Sequence, residues 1–270
     1  MKEHARNDGI GLQLAVREGD GVTLSGRHAL VTGGSQGIGA AVARALAGAG
    51  ARVTVLGRNA EKLASVVASG AAAAHVAADV TDTPAFEAAI AALPAVDILV
   101  NNAGAAESAP LARTTHEIWE RMLAVNLSAV FTATRALLPG MITRGWGRVV
   151  TIASTAGLTG YPYVSAYVAA KHGAVGLTRA LALETAGKGV TVNAVCPGYT
   201  ETELIQSSIA RIAARGGRST ESIRADFTRA NPQGRLVQPA EVAAAVLYFC
   251  GPGSDAVTGV ALPVSGGEVL

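Results

Sequence analysis

Three side chains within eighteen residues set the chemistry that this sequence can do: the hydroxyl of Ser154, the phenol of Tyr167 and the amine of Lys171. Tyr167 and Lys171 are four apart, so a helix over about 165–184 places both on one face, one turn apart. A phenol titrates near about 10 in water and is a poor base at neutral pH. A lysine ammonium a few ångströms away favours the phenolate and is expected to lower that value. A tyrosine tuned in this way can pass a proton to or from an alcohol or carbonyl oxygen. Ser154 follows the apolar run Arg148-Val-Val-Thr-Ile-Ala, which reads as a buried strand. It therefore stands at a strand's C-terminal end, where open α/β sheets bind ligands, and its hydroxyl can hold the same oxygen. Alone, a Tyr-x-x-x-Lys pair is weak evidence, because surface helices carry such pairs by chance. It gains meaning only if a dinucleotide site lies upstream.

The chain supplies the elements of one. Residues 28–32 read as a short buried strand, followed by Gly33-Gly-Ser-Gln-Gly37-Ile-Gly39 and a helical stretch from Ala40 to Gly50. A Gly-rich strand-to-helix turn lets the backbone approach a pyrophosphate, and the helix N-terminus offers it free N–H groups. The spacing, Gly-x-x-x-Gly-x-Gly, differs from the commoner G-x-G-x-x-G. A second strand, Arg52–Leu56, ends in Gly57-Arg58. An acidic residue near this point bonds the adenosine ribose 2′-OH in NAD sites, and none is present. A guanidinium binds a 2′-phosphate through two parallel hydrogen bonds, so Arg58 favours NADP(H), with NAD(H) as the alternative. Further helices are expected over 61–69, 84–93, 117–139 and 239–250, and further strands over 73–77, 96–100, 190–195 and 256–264. Asp79 and Val80 lie at the end of the third strand, placed to meet an adenine ring. Asn101-Asn102-Ala103-Gly104 close the fourth, small enough for close approach by a ligand. Asn126 falls in the middle of the 117–139 helix, where propensity does not favour it.

Strands alternate with helices throughout. The expected fold is a single α/β domain over 25–270, a Rossmann-type doubly wound parallel sheet of about seven strands with helices on both faces. Residues 1–24 are polar and read as an N-terminal extension, and 199–230 as a mobile lid. With 270 residues, half of them apolar and 16% charged, the chain has ample material for one packed core. A net charge of +2 points away from nucleic acid or an anionic membrane as partner. Cys196 and Cys250 sit in apolar surroundings and read as buried thiols in a reducing cytoplasm. The N-terminus has no apolar signal core, no run of eighteen apolar residues suggests a membrane span, and no Cys/His spacing suggests a metal site.

Taken together, Thr32-Gly33-x-x-x-Gly37-Ile38-Gly39, Asp79, Asn101-Asn102-Ala103-Gly104, Asn126, Ser154, Tyr167-x-x-x-Lys171, and Pro197-Gly198 with Thr202 resemble the short-chain dehydrogenase/reductases, over about Ser25 to Gly267. Segment 233–241 and the run 251–258 are similar to ketoreductases acting on 3-oxoacyl thioesters or polyketides; segment 182–189 is similar to 3-hydroxybutyrate dehydrogenases. The resemblance implies that Tyr167 is the general acid or base, that Lys171 tunes it and binds the nicotinamide ribose, and that Ser154 orients the substrate oxygen. It implies that Asn126 holds a relay water. Gly33, Ser35, Gln36, Gly37, Ile38 and Gly39 would line the pyrophosphate and adenosine ribose. Asp79 and Val80 would contact adenine, and Asn102, Ala103 and Gly104 the adjoining ribose region. Pro197, Gly198, Thr200 and Thr202 would hold the nicotinamide. Tyr161, Tyr163 and residues 199–230 are expected to shape the pocket for a ketone or alcohol, with Tyr163 beside Ser154 and Tyr167 on the substrate. Family members form dimers or tetramers. Gln36 departs from the basic residue of many NADP-preferring members, Glu203 replaces a common proline, and no Pro-Gly-Gly element follows Gly104. An NAD-dependent hydroxyacid dehydrogenase and a non-catalytic cofactor-binding regulator are the competing readings.

Overall fold

The computed structural model describes residues 23–270, the side chain of Arg215 aside. Seven strands form one sheet: β1 (His28–Thr32), β2 (Arg52–Gly57), β3 (Ala74–Ala77), β4 (Ile98–Asn101), β5 (Gly147–Ile152), β6 (Val190–Pro197) and β7 (Ala261–Val264). Their order is β3-β2-β1-β4-β5-β6-β7, and every pairing is parallel. Parallel neighbours need crossovers, and helices on both faces supply them. The order reverses between β1 and β4, so the connections leaving these two strands diverge. The crevice between them is where such sheets bind ligands.

The strands are apolar on both faces, with alternate residues entering opposite cores. Ala29, Val31, Ile98, Val100, Val150 and Ile152 pack with α1 (Gly37–Gly48), α2 (Ala60–Ala68) and α9 (Pro239–Cys250). Leu30, Leu99 and Val149 face the other way, onto α3 (Thr83–Ala91) and a long helix formed by α4 (His116–Leu123) and α5 (Ala129–Thr143). Phe86 on α3 is fully buried in this second core. Helix α6 (Ser165–Thr185) lies beside β6 and the long helix. Its buried positions Ala166, Ala170, Ala174, Thr178 and Ala182 recur every four residues, and Lys171 shares that face. The segment expected as a lid forms α7 (Glu203–Gly216) and α8 (Thr220–Arg229), which pack on each other.

Three boundaries differ from the sequence expectation. The helix expected over 117–139 runs from His116 to Thr143 and passes through Pro139. It widens to i→i+5 hydrogen bonding over Ala124–Ser128, the turn that contains Asn126. The strand expected over 256–264 begins only at Ala261. Ahead of it, the Asn193 side chain donates to Val257 O (2.8 Å) and accepts from Val260 N (3.1 Å), beside backbone bonds from Gly259 N to Val192 O and from Ala194 N to Val260 O. The extension expected over 1–24 lies outside the described residues up to 22; Leu24 is buried in the first core and its N–H donates to Ala49 O.

Removing the Phe86 ring should leave a cavity behind the β1–β4 junction. Phe86→Ala is expected to lower unfolding free energy by about 3–5 kcal/mol, read from urea melts.

Candidate active site

The C-terminal ends of β1 and β4 are tied by side chains. Thr32 Oγ1 accepts from the N–H groups of Asn102 (3.0 Å) and Ala103 (3.1 Å). Asn102 Nδ2 donates to Thr32 O (2.9 Å) and Gly33 O (3.0 Å), so both its amide hydrogens hold the glycine turn. At Gly33 and Gly39 the turn has no room for a side chain. Gly33 has φ +64°, and a Cβ there would lie 2.8 Å from Ala103 Cα; one on Gly39 would lie 2.3 Å from Gly33 O. Helix α1 starts here with Gln36 as its N-cap, and no side chain caps it. Its first-turn N–H groups are left to an anion at the positive end of the helix.

From this turn a cleft of about 960 Å³ crosses the C-terminal edge of the sheet, near the top of the usual range for small-molecule sites. Its lining includes Gly33, Ser35, Gln36, Gly37, Ile38, Gly39, Arg58, Asp79, Val80, Asn102, Ala103, Gly104, Asn126, Ser154, Tyr167, Lys171, Pro197, Gly198, Thr200 and Thr202, every predicted site residue but one. The exception is Tyr163. Its side chain is 63% exposed, it does not line the cleft, and its backbone is left-handed (φ +67°). Tyr161, Pro162 and Val164 line the cleft instead. The Tyr163 carbonyl accepts from Ala109 N (2.8 Å), which fixes this turn and swings the ring outward.

At the reactive end, β5 delivers Ser154 two residues beyond its last strand residue, and α6 delivers Tyr167 and Lys171. Lys171 is buried, and Nζ donates to Ile152 O (2.9 Å), 5.6 Å from the centre of the Tyr167 ring. Burial disfavours the ammonium and brings its pKa down to about 8. The Tyr167 phenol moves the other way from the expectation. Burial raises its pKa, with Ser154 acting in the lowering sense. The reason is burial: the desolvated phenolate is disfavoured more than its neighbours stabilise it. Ser154 Oγ accepts from Ala156 N (3.1 Å), which orients the hydroxyl.

Asn126 is fully buried in the widened turn. Its Nδ2 donates to Ala105 O (2.9 Å) and Met122 O (3.0 Å), and Oδ1 accepts from Ala105 N (3.3 Å). The side chain thus clasps the loop segment following Gly104 to the helix. Asp79 lies at the other end. The Thr81 N–H (2.9 Å) and hydroxyl (2.7 Å) donate to Oδ1 and hold this carboxyl below its ordinary value. Arg58 is 80% exposed and 4.0 Å from Asp79 Oδ2.

Two groups escaped the sequence reading. Lys62 lines the adenosine end, where Nζ donates to Gln36 Oε1 (2.7 Å) and Glu203 Oε2 (2.8 Å). The signal was present: Asn59 accepts from Lys62 N as the cap of α2, so Lys62 sits in that helix's first turn, next to the cleft. Glu268, near the C-terminus, accepts from the Tyr161 hydroxyl (2.5 Å), whose oxygen is also 2.8 Å from Thr155 Oγ1. Its other oxygen is buried without a partner, and a Cβ on Gly198 would lie 2.5 Å from it. No local pattern in the sequence links 161 with 268.

The lysine makes a prediction about stability. Its folded pKa, about 8, lies below its ordinary 10.5. Between those values the unfolded chain binds more protons, so this group makes stability rise with pH across the window and hold level above it. Without added dinucleotide, Lys171→Met should be more stable than the native protein at pH 7. That advantage should shrink between pH 8 and 10.5, as read from paired urea melts.

Comparison with known proteins agrees with this arrangement. The short chain dehydrogenase family model matches residues 27–212. A solved actinorhodin polyketide ketoreductase variant with NADPH is 42% identical, with a TM-score of 0.85, covering 90% of this chain and 97% of that one. D-beta-hydroxybutyrate dehydrogenase of Cupriavidus necator is 37% identical over 91% of this chain and 99% of its own length. Acetoacetyl-CoA reductase of Rhizobium meliloti is 39% identical over 90% and 98%. The chain belongs to the short-chain dehydrogenase family, NAD(P)-using oxidoreductases that act on CH–OH groups and their carbonyl counterparts.

Proposed function

We propose that the protein is an NADP(H)-dependent carbonyl reductase, turning a 3-oxoacyl thioester, polyketide or related ketone into a secondary alcohol, or running the reverse. The observation that carries this reading is the convergence of Ser154, Tyr167 and Lys171 on a cleft whose far end holds the glycine turn and Arg58. The residues suit the dinucleotide: an uncapped α1 N-terminus for the pyrophosphate, glycines with no room for a side chain, and Gly57 where an NAD site has an acid. Arg58 and the first turn of α1 hold the phosphates; Asp79 and Val80 flank the adenine. Pro197, Gly198, Thr200 and Thr202 flank the nicotinamide. When bound, the dinucleotide supplies the hydride, or takes it in the reverse direction.

The chain's own groups manage the oxygen and its proton. In reduction, the Ser154 hydroxyl donates to the carbonyl oxygen and fixes it beside the Tyr167 hydroxyl. Tyr167 then gives its proton to that oxygen as negative charge develops there. Its raised pKa suits this, because the phenol is fully protonated at neutral pH. Lys171, where it carries its proton, stabilises the phenolate left behind. Asn126 holds the widened turn through which a relay water would resupply that proton.

Helices α7 and α8 form the lid over the substrate end, joined to the rest at the Thr200–Val237 bridge and by Tyr199 against Phe227. The substrate class is supported by the names of the relatives, a polyketide ketoreductase and an acetoacetyl-CoA reductase. We place the enzyme in the cytoplasm, as a homodimer or homotetramer; free buried cysteines fit the former, and exposed Trp119, Phe131 and Leu183 on the long helix and α6 fit the latter. The NAD(H) alternative draws on Gln36 and Glu203, a neutral and an acidic group at the adenosine end.

Tyr167→Phe should cut kcat by roughly 10²–10⁴ in ketone reduction, while fluorescence titration shows NADPH affinity within about twofold of native. Near-native turnover would refute the assignment of the proton donor. Arg58→Ala should reduce the NADPH:NADH ratio of kcat/KM by about tenfold or more; an unchanged ratio favours the NAD(H) alternative.

A further inference from the structure

We infer that Lys62 is a second reader of the cofactor's 2′-phosphate and links that phosphate to helix α7 through Glu203. This rests on the reading that the cleft takes NADP(H). Three segments far apart in sequence meet at one ammonium: Gln36 from the glycine turn, Lys62 from the first turn of α2, and Glu203 from the first turn of α7. All three line the cleft with Arg58, at the end where the ribose would lie.

The local chemistry fits a phosphate better than it fits a structural tie. The Lys62 and Glu203 side chains are about half exposed, 46% and 55%, and an exposed ion pair of this kind adds little to stability. An ammonium has three donors. Two are used here, leaving one for a phosphate oxygen. Gln36 accepts from Lys62 through Oε1, so its Nε2 is turned to donate elsewhere. Arg58, a few residues before Lys62 and four-fifths exposed, offers a planar fork from the β2 end. A 2′-phosphate would thus meet Arg58, Lys62 and the Gln36 amide together. Gln36 becomes part of the recognition instead of a departure from it.

Glu203 adds the coupling. A phosphate bound to Lys62 competes with the Glu203 carboxylate for the same ammonium, and the two anions repel each other. The Lys62–Glu203 pair already holds the first turn of α7 against α2 in the free protein, and a 2′-phosphate draws Lys62 away from it. Gly37 supports the contact from below, because a Cβ there would come within 3.2 Å of Thr202 Cγ2. Cofactor type would thereby set the order of the lid base. By linkage, whatever releases Glu203 from Lys62 strengthens NADP(H) binding.

The test measures NADPH and NADH binding by fluorescence titration and backbone amide exchange over 203–216, in the native protein, Lys62→Met and Glu203→Gln. The expected result is about tenfold weaker NADPH binding in Lys62→Met with NADH changed less than twofold. In the native protein NADPH should slow exchange in α7 less than NADH does, and both variants should erase that difference. Equal weakening of both dinucleotides in Lys62→Met, or equal protection of α7 by both in the native protein, overturns the inference. A native protein that binds NADPH no better than NADH instead overturns the NADP(H) reading beneath it.

Discussion

An ammonium has to be kept in an apolar interior at Lys171, and the reactive end of the cleft is arranged around that constraint. Among the described residues Nζ has one hydrogen-bond partner, the Ile152 carbonyl at the last residue of β5. Two donors remain without a protein acceptor. A buried cation so poorly supplied is costly, and its pKa falls to about 8, close to neutrality. The same deficiency makes it a strong attractor for ligand oxygens. Under the proposed reading, an anionic dinucleotide in the cleft would supply negative charge that holds the proton on Lys171, and the cation would then assist the Tyr167 phenol.

The opposite end solves a different problem, bringing a backbone close to phosphate. Parallel β1 and β4 diverge at the switch point, and Thr32 with Asn102 ties their ends together. Glycine at 33 and 39 removes the side chains that would otherwise collide with Ala103 and with the turn itself. Charge at this end is mixed. Arg58 and Lys62 face Asp79 and Glu203, so a phosphate bound here would enter a balance among exposed charges. Long exposed side chains can rearrange at small cost, whereas the buried Lys171 cannot.

Much of this was legible in the sequence because it follows local rules. The four-residue spacing of Tyr167 and Lys171, the glycine turn after an apolar strand, and the alternation of strands with helices each come from helix or strand geometry. All seven strands were anticipated, and all but one of the named site residues line the cleft. What escaped depends on tertiary context. The wide turn at Asn126 exists because its amide bonds Ala105 in another segment. The outward swing of Tyr163 follows from a bond to Ala109. Lys62 and Glu203 are 141 residues apart. The sign of the Tyr167 shift was missed because spacing reports proximity but carries no information about burial.

The central claim is that Lys171 is a desolvated cation near its titration point, which the bound dinucleotide keeps charged. Isotope-edited NMR of the Lys171 side chain across pH, with and without NADPH, addresses it directly. The account predicts a midpoint of about 8 in the free protein and a clear rise when NADPH is bound. A free-protein midpoint at the ordinary lysine value, or one that NADPH leaves unmoved, would contradict it.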